Sequence, residues 1–363
     1  MLHASPESVR AQCHAVLAAW GMPEDLAELT AEVMVETDLT GVDSHGISML
    51  MNYEEMRQKG QLRIAGRPRL VKDFAATGLL DGEATLGHPS GVMAMKLAVE
   101  KARAFGIGAV GAFNSHHFGA AGYYARLAAE AGMVGLVTSS ARGVLLVPTR
   151  GAEPVLGTNP WAFACPAAHH APVLLDMATT TVAANKVKVY HLNDKPIPEG
   201  WVVDGEGRPV TDSHAAMGNL FQGRGGGITP LGGTEAGGSH KGYGLALMVQ
   251  LLGGTLVGGS FSPIRNRTQK PDDPNNIGHL CIAIHPQAFR DPLAFEEEVA
   301  AILDVLRTTR PADPAKPVLV PGEPEEASRI ERMAGGIPIP DSLDGLIRGI
   351  CERADAPYLL APA

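Results

Sequence analysis

Between residues 92 and 176 the chain alternates helix-like and strand-like apolar runs, and no other feature restricts its fold class as much. Residues 92–105 read as a helix stopped by Gly106, and residues 107–113 as a buried strand. Residues 120–131 read as a helix and 134–138 as a strand. Residues 173–175 form a short apolar strand that delivers Asp176. Runs of these lengths in this order predict an α/β architecture. A helical arm precedes it. Ser5-Pro6-Glu7 is a start signal, a cap residue followed by proline at the first helical position. Val9, Cys13, Val16, Leu17 and Trp20 then form a stripe that ends at Gly21, and a second helix starts near Pro23. Further on, residues 241–257 read as an apolar helix, 278–285 as a strand, and 295–306 and 343–353 as helices. Residues 196–212 and 223–238 are rich in glycine and proline and read as a lid over a site or as plain long connections.

An α/β chain of this kind invites a search for the dinucleotide fingerprint GxGxxG between a strand and a helix. None stands in that setting. Gly223-Arg224-Gly225-Gly226-Gly227 has no strand before it, and Gly238-Ser239-His240-Lys241-Gly242 lacks the spacing of a phosphate loop. A bound dinucleotide would therefore lie on a different fold. The 363 residues suffice for two domains. A net charge of −9 argues against nucleic acid as a partner. Cys13, Cys165, Cys281 and Cys351 are far apart and read as reduced and buried, which fits a cytoplasmic protein. The first residues lack the charged and apolar regions of a signal peptide, and the best apolar run, 244–257, is too short for a membrane span. No metal is expected: the pairs His116-His117 and His169-His170 would point to opposite faces of a strand, and HExxH is absent.

Two motifs set a histidine beside small hydroxyl residues and a glycine at an element boundary: Asp43-Ser44-His45-Gly46 and Asn114-Ser115-His116-His117-Phe118-Gly119. Imidazole titrates near neutral pH and suits proton transfer. His45 reads as a general acid/base oriented by Ser44 or a carboxylate, or as part of a capping turn. His117 reads as a group at a helix N-terminus facing an anion, or as a cap. Asp176 reads as a helix N-cap or as the carboxylate that fixes an imidazole tautomer. No GxSxG nucleophile elbow is present.

Taken in order, the segments Asp43-Ser44-His45-Gly46-Ile47, Asn114 to Gly122, Gly157-Thr158-Asn159-Pro160, Leu175-Asp176-Met177-Ala178-Thr179-Thr180, Pro198 to Asp204, Pro230-Leu231-Gly232-Gly233, Lys241-Gly242-Tyr243-Gly244 and Pro321-Gly322-Glu323 resemble the malate/L-lactate dehydrogenase-like family of non-Rossmann NAD(P)-dependent oxidoreductases. The resemblance implies a mixed-sheet cofactor domain at residues 116–284. It implies a second α/β domain, built from residues 1–115 and 285–363, that carries catalysis and dimer contacts. The site would lie between them in a homodimer, completed by the partner subunit, with NAD or NADP as cofactor. The implied activity is hydride transfer between nicotinamide and a 2-oxo acid/2-hydroxy acid pair. A cyclic 2-imino acid is the alternative substrate, and a catalytically lapsed binding protein is the alternative outside this class.

By the same resemblance, His45 moves the proton, with Ser44 and Asp176 as its neighbours, and His117 lies beside the nicotinamide. Ser115, Ser140, Met177, Ala178, Thr179, Lys241, Pro321, Gly322 and Glu323 would contact the cofactor, and Thr158 and Tyr53 the substrate. Lys186, Lys188 and His169-His170 are candidates for reading a 2′-phosphate. One position departs. The family's arginine four residues after the motif histidine is Met49 here, and a thioether cannot replace a guanidinium–carboxylate contact. Arg142, gained where the family has proline, and His116 are the nearest substitutes.

Overall fold

A computed structural model describes residues 1–363. The chain opens with a short strand β1 (Leu2–Ala4) and helices α1 (Pro6–Ala19), α2 (Glu24–Leu39) and α3 (Leu50–Gln58). Ser5 caps α1 by accepting the Ser8 N–H at 3.2 Å, and Pro6 occupies its first turn, as the start signal predicts. There follow β2 (Arg69–Phe74), β3 (Thr77–Asp81), α4 (Gly87–Phe105), β4 (Ile107–Ser115), α5 (Ala121–Glu130), β5 (Val134–Ser139), β6 (Trp161–Cys165) and β7 (Val173–Met177). A smaller unit contains α6 (Ala184–Leu192), β8 (Val202–Val203), β9 (Pro209–Val210), α7 (Ser213–Phe221) and β10 (Gly227–Ile228). The chain ends with α8 (Ser239–Val249), α9 (Ser262–Arg265), β11 (Ile277–Ile284), α10 (Pro292–Arg307), α11 (Glu323–Gly335), β12 (Ile337–Ile339) and α12 (Asp341–Ala354).

Seven strands form one sheet in the order β2-β3-β4-β11-β5-β6-β7. The β3–β4 pair is parallel and the others are antiparallel, so the sheet is mixed. Its central strands are rich in glycine and alanine because α4 and α5 lie directly on them. A Cβ at Gly108 would overlap the Ala98 carbonyl of α4, and one at Gly135 would press on the Ala125 carbonyl of α5. Small side chains on both surfaces let backbone approach backbone, and the core between them is mostly alanine, valine and methionine.

The break expected between residues 115 and 116 falls at the end of β4. Strands on both sides of it share this sheet, with β4 and β11 paired along nearly their whole length. Buried apolar residues gather in several cores. One joins α1, α2 and α3 to α12 and the β1–β12 ribbon, drawing the two chain ends together. A second lies between the sheet and α4 and α5. A third, built on Val187, Ile197, Val202 and Ile228, sits inside the small unit. That unit also corrects the reading of residues 196–212 and 223–238 as bare connections. They contribute the three-stranded sheet β10-β8-β9. The apolar run from 241 is likewise shorter as an α-helix than expected, because it passes into a π turn at Gln250–Gly254.

Candidate active site

The His45 turn follows α2. Gly41, at φ +84°, reverses the chain in a region that glycine enters without penalty, and the His45 N–H then bonds the Val42 carbonyl at 2.9 Å. Ser44 Oγ lies 2.7 Å from His45 Nδ1. Nε2 bonds no protein atom and is open to the surrounding space. Burial lowers the His45 pKa below its ordinary value, because the imidazolium loses hydration.

His117 faces it. Its ring centroid is 5.2 Å from that of His45. Tyr53, wholly buried, places its hydroxyl 2.8 Å from His117 Nδ1. Burial holds the Tyr53 phenol protonated and pushes His117 well below its usual pKa, with His45, His88 and His279 adding repulsion. A protonated phenol beside a neutral imidazole donates, which puts the remaining ring proton of His117 on Nε2. Three more buried imidazoles surround the pair. Burial lowers His88 and His279 to about 3 and His116 to about 4. His279 bonds Ser139 Oγ at 2.9 Å and Ser115 Oγ at 3.0 Å and stacks on Phe118.

Asp176 is not the N-cap of the helix that follows it in sequence. It lies within β7, and its Oδ2 accepts the Gly122 N–H at 2.7 Å, so it caps α5 from a neighbouring strand. It makes no hydrogen bond to His45. Asp176 is open to a cleft yet walled by protein. Lost hydration pushes its carboxyl up to about 6, against the Gly122 N–H, while Glu325 pushes in the same direction as burial.

Two cavities meet at His45. The first, of about 480 Å³, is polar and is lined by Asn52, Lys59, Gln61, Ser140 and Arg142 as well as His117. The second, of about 380 Å³, is more apolar, with Leu174, Met177, Ala178, Ala183 and Ala184 beside Ser44 and Asp176. His45, Gly119, Thr158 and Pro160 belong to both, and His45 is the one ionisable side chain they share.

The remaining candidates divide. Thr158 stands at the junction, where its carbonyl is held by the Thr179 N–H at 2.9 Å and hydroxyl at 3.0 Å. Thr179 itself is buried behind the wall. Arg142 lines the first cavity, anchored on Asn275 Oδ1 at 3.3 Å and Gln269 Oε1 at 3.1 Å. His116 does not substitute for the missing arginine, because it is neutral and bonded to the Gln61 carbonyl at 2.9 Å. Met49 packs on the N-terminal core and lines neither cavity. Tyr53 lies beneath His117 rather than in a cavity wall, and Ser115 is buried on His279. Lys241 is exposed in the first turn of α8 and lines neither cavity.

Pro321 and Gly322 pack on β7 at Leu174, and Glu323 is bound to Arg307 at 2.6 Å and the Val320 N–H at 2.7 Å. Glu325, two residues later in the first turn of α11, is the residue of that segment that reaches the second cavity. Lys186 lies over the Trp201 ring, and His170 bonds Asp304 and Arg307. Sequence reading missed Asp38, His88 and His279. It also missed the α3 stripe of Asn52, Glu55, Met56 and Lys59 on the first cavity, although its helical spacing is visible.

The apolar cavity ending at an imidazole with an open Nε2 fits a flat, weakly polar ring, and the polar cavity with an arginine fits a small acid. Residues 4–346 match the family model described as malate/L-lactate dehydrogenase. The malate dehydrogenase of Pyrococcus horikoshii is 38% identical over 326 residues, 89% of this chain and 88% of the relative. The malate dehydrogenase structure from Entamoeba histolytica superposes with a TM-score of 0.92 at 31% identity, covering 98% of each chain. The Δ1-piperideine-2-carboxylate reductase from Pseudomonas syringae superposes with a TM-score of 0.83 at 26% identity, covering 96% of this chain and 100% of that one.

Proposed function

This chain belongs to the malate/L-lactate dehydrogenase family, and from that premise we propose that it interconverts a 2-oxo acid and a 2-hydroxy acid with NAD or NADP, His45 moving the proton. It is an oxidoreductase, as its named relatives are. The carrying observation is that His45 alone among ionisable side chains lies in both cavities, with Nε2 unpartnered.

A bound nicotinamide supplies or takes the hydride. Its ring would lie in the apolar cavity against Met177, Ala178 and Leu174, with His45 and Asp176 at the inner end. The substrate would enter the polar cavity. Its carboxylate meets Arg142, whose present partners are neutral amides, and Thr158 stands at the junction. His45 then gives a proton from Nε2 to the carbonyl oxygen as the hydride reaches the carbon, or takes it back in oxidation. Ser44 Oγ on Nδ1 fixes the ring, and His117, held by Tyr53, presents an N–H to the same space. Excluding water between the two walls aligns the reacting groups and strengthens their charges. Lys241 remains a candidate for a cofactor phosphate. The exposed row Leu247, Leu251 and Leu256 supports a second copy of the chain as partner.

A cyclic 2-imino acid is a second reading, favoured by the similarity to the piperideine-2-carboxylate reductase. It places a ring nitrogen where the ketone oxygen would be and keeps the carboxylate on Arg142. The test is cofactor binding by fluorescence, followed by NADH and NADPH oxidation with a panel of 2-oxo and 2-imino acids. Turnover of one class supports the corresponding reading. Binding of neither cofactor, or no turnover across the panel, overturns the proposal.

A further inference from the structure

The last turn of α2 contains a residue that local physics penalises twice. Asp38 is 2% exposed, and a buried carboxyl loses hydration. It also sits at a helix C-terminus, where negative charge is disfavoured. The groups that face it are Asp43, Arg332 and Cys13, so no close ion pair offsets its burial. Its side chain is used on the His45 turn instead. Oδ2 accepts the Ile47 N–H at 2.8 Å, and a Cβ added at Gly46 would overlap the carboxyl group. Gly46 and Ile47 thus rest directly on Asp38. Arg332 of α11 grips the other end, donating to the Asp38 carbonyl and pairing with Asp43. Ser44 and His45 lie between these two anchors.

We propose that Asp38 is the positioning residue of the proton-transfer site, holding Gly46 and Ile47 so that the His45 ring stays at the junction of the two cavities. This rests on the reading of His45 as the proton-transfer group. Burial pushes the Asp38 carboxyl up to about 8, so it is mostly neutral at neutral pH. An amide of the same shape then reproduces its contact with the Ile47 N–H, and a leucine, branched at the same atom but larger and without an acceptor, does not.

The experiment compares wild type, Asp38→Asn and Asp38→Leu. The readouts are kcat and KM with the best acid of the panel, cofactor Kd by fluorescence, and the ¹⁵N titration of the His45 imidazole, assigned through His45→Gln. Asp38→Leu is expected to lower kcat by about 10- to 100-fold, the scale of a small misplacement of a reacting group. Cofactor Kd stays within about twofold. The His45 titration moves up toward its ordinary value as the loosened turn admits water. Asp38→Asn is expected to keep kcat within about threefold and leave the titration in place. If Asp38→Leu does not fold, Arg332→Met releases the opposite anchor and is expected to move kcat and the His45 titration in the same directions. An unchanged His45 titration in Asp38→Leu overturns the proposal, as do equal losses in Asn and Leu variants that follow melting temperature alone. If wild type turns over no substrate, the functional reading fails, and the His45 titration still decides the role of Asp38.

Discussion

Removing the guanidinium of Arg142 tests how this chain binds an acid without the arginine that Met49 replaces. Arg142 is held by two neutral amide oxygens, and no carboxylate is among its partners. Arg142→Ala therefore leaves no anion stranded, and the loss falls on the ligand rather than on the fold. A hydrogen bond to a charged group contributes about 1.5–3 kcal/mol. At 1.4 kcal/mol per decade, this corresponds to a rise of about 10- to 150-fold in KM for the acid. The half-buried setting of Arg142 places the expected value in the upper part of that range, because burial weakens screening by water. A primary amide in place of the substrate carboxylate accepts a hydrogen bond but carries no charge. Its KM is expected to change by less than about fivefold between the two enzymes. The assay is steady-state kinetics of the acid and its amide with wild type and Arg142→Ala, with melting temperature as a check on folding. Equal rises for acid and amide, or an acid KM within threefold of wild type, would refute the assignment of Arg142 as the reader of substrate charge.

Three further outcomes are expected. His45→Ala should lose about 10²–10⁴-fold in kcat while cofactor Kd is retained, and turnover within a few-fold of wild type removes His45 from the mechanism. Lys241→Ala should raise the dinucleotide Kd only about fivefold with kcat unchanged, because its exposed ammonium is screened by water, and an unaltered Kd takes it out of the cofactor site. Reduction needs His45 protonated and oxidation needs it neutral. Since burial lowers its pKa, kcat/KM for reduction should fall as pH rises through a midpoint below 6.5, and that for oxidation should rise through the same midpoint. Parallel profiles in the two directions would contradict this.

The central elements were legible because each carries its own stop signal. Gly106, at φ +83°, ends α4 where the pattern predicts, and β4, α5 and β5 follow within two residues of their expected bounds. The beginning of α4 was hidden because Gly87-His88-Pro89 reads as a loop, whereas Gly87 is needed for close approach to the His116 carbonyl. The β2–β3 hairpin escaped because β2 is exposed along its whole length and has no apolar alternation. At the site, Ser44 beside His45 could be read from adjacency. Tyr53 on His117 and Asp38 under Gly46 depend on contacts 64 and 8 residues apart, which no local pattern encodes. Asp176 misled because its helix partner lies 54 residues earlier in the chain.

The nest of buried imidazoles also bears on how the whole molecule responds to acid. His88, His116, His117 and His279 are all depressed below 6.5 in the folded protein and return to that value when the chain unfolds. As pH falls below 6.5, the unfolded chain takes up protons that the native state refuses. Each of the four histidines then erodes stability by up to about 1.4 kcal/mol per pH unit. Together they approach about 5 kcal/mol per unit, against a total stability of about 5–15 kcal/mol for a typical protein. Asp38 and Asp176, raised by the same burial to about 8 and about 6, bind protons in the native state and offset part of this loss, so stability should fall with acid by the balance of the two sets. The residues that wall the reacting centre thereby tie the stability of the fold to pH through two buried sets of opposite sign, imidazoles that refuse protons and carboxyls that keep them.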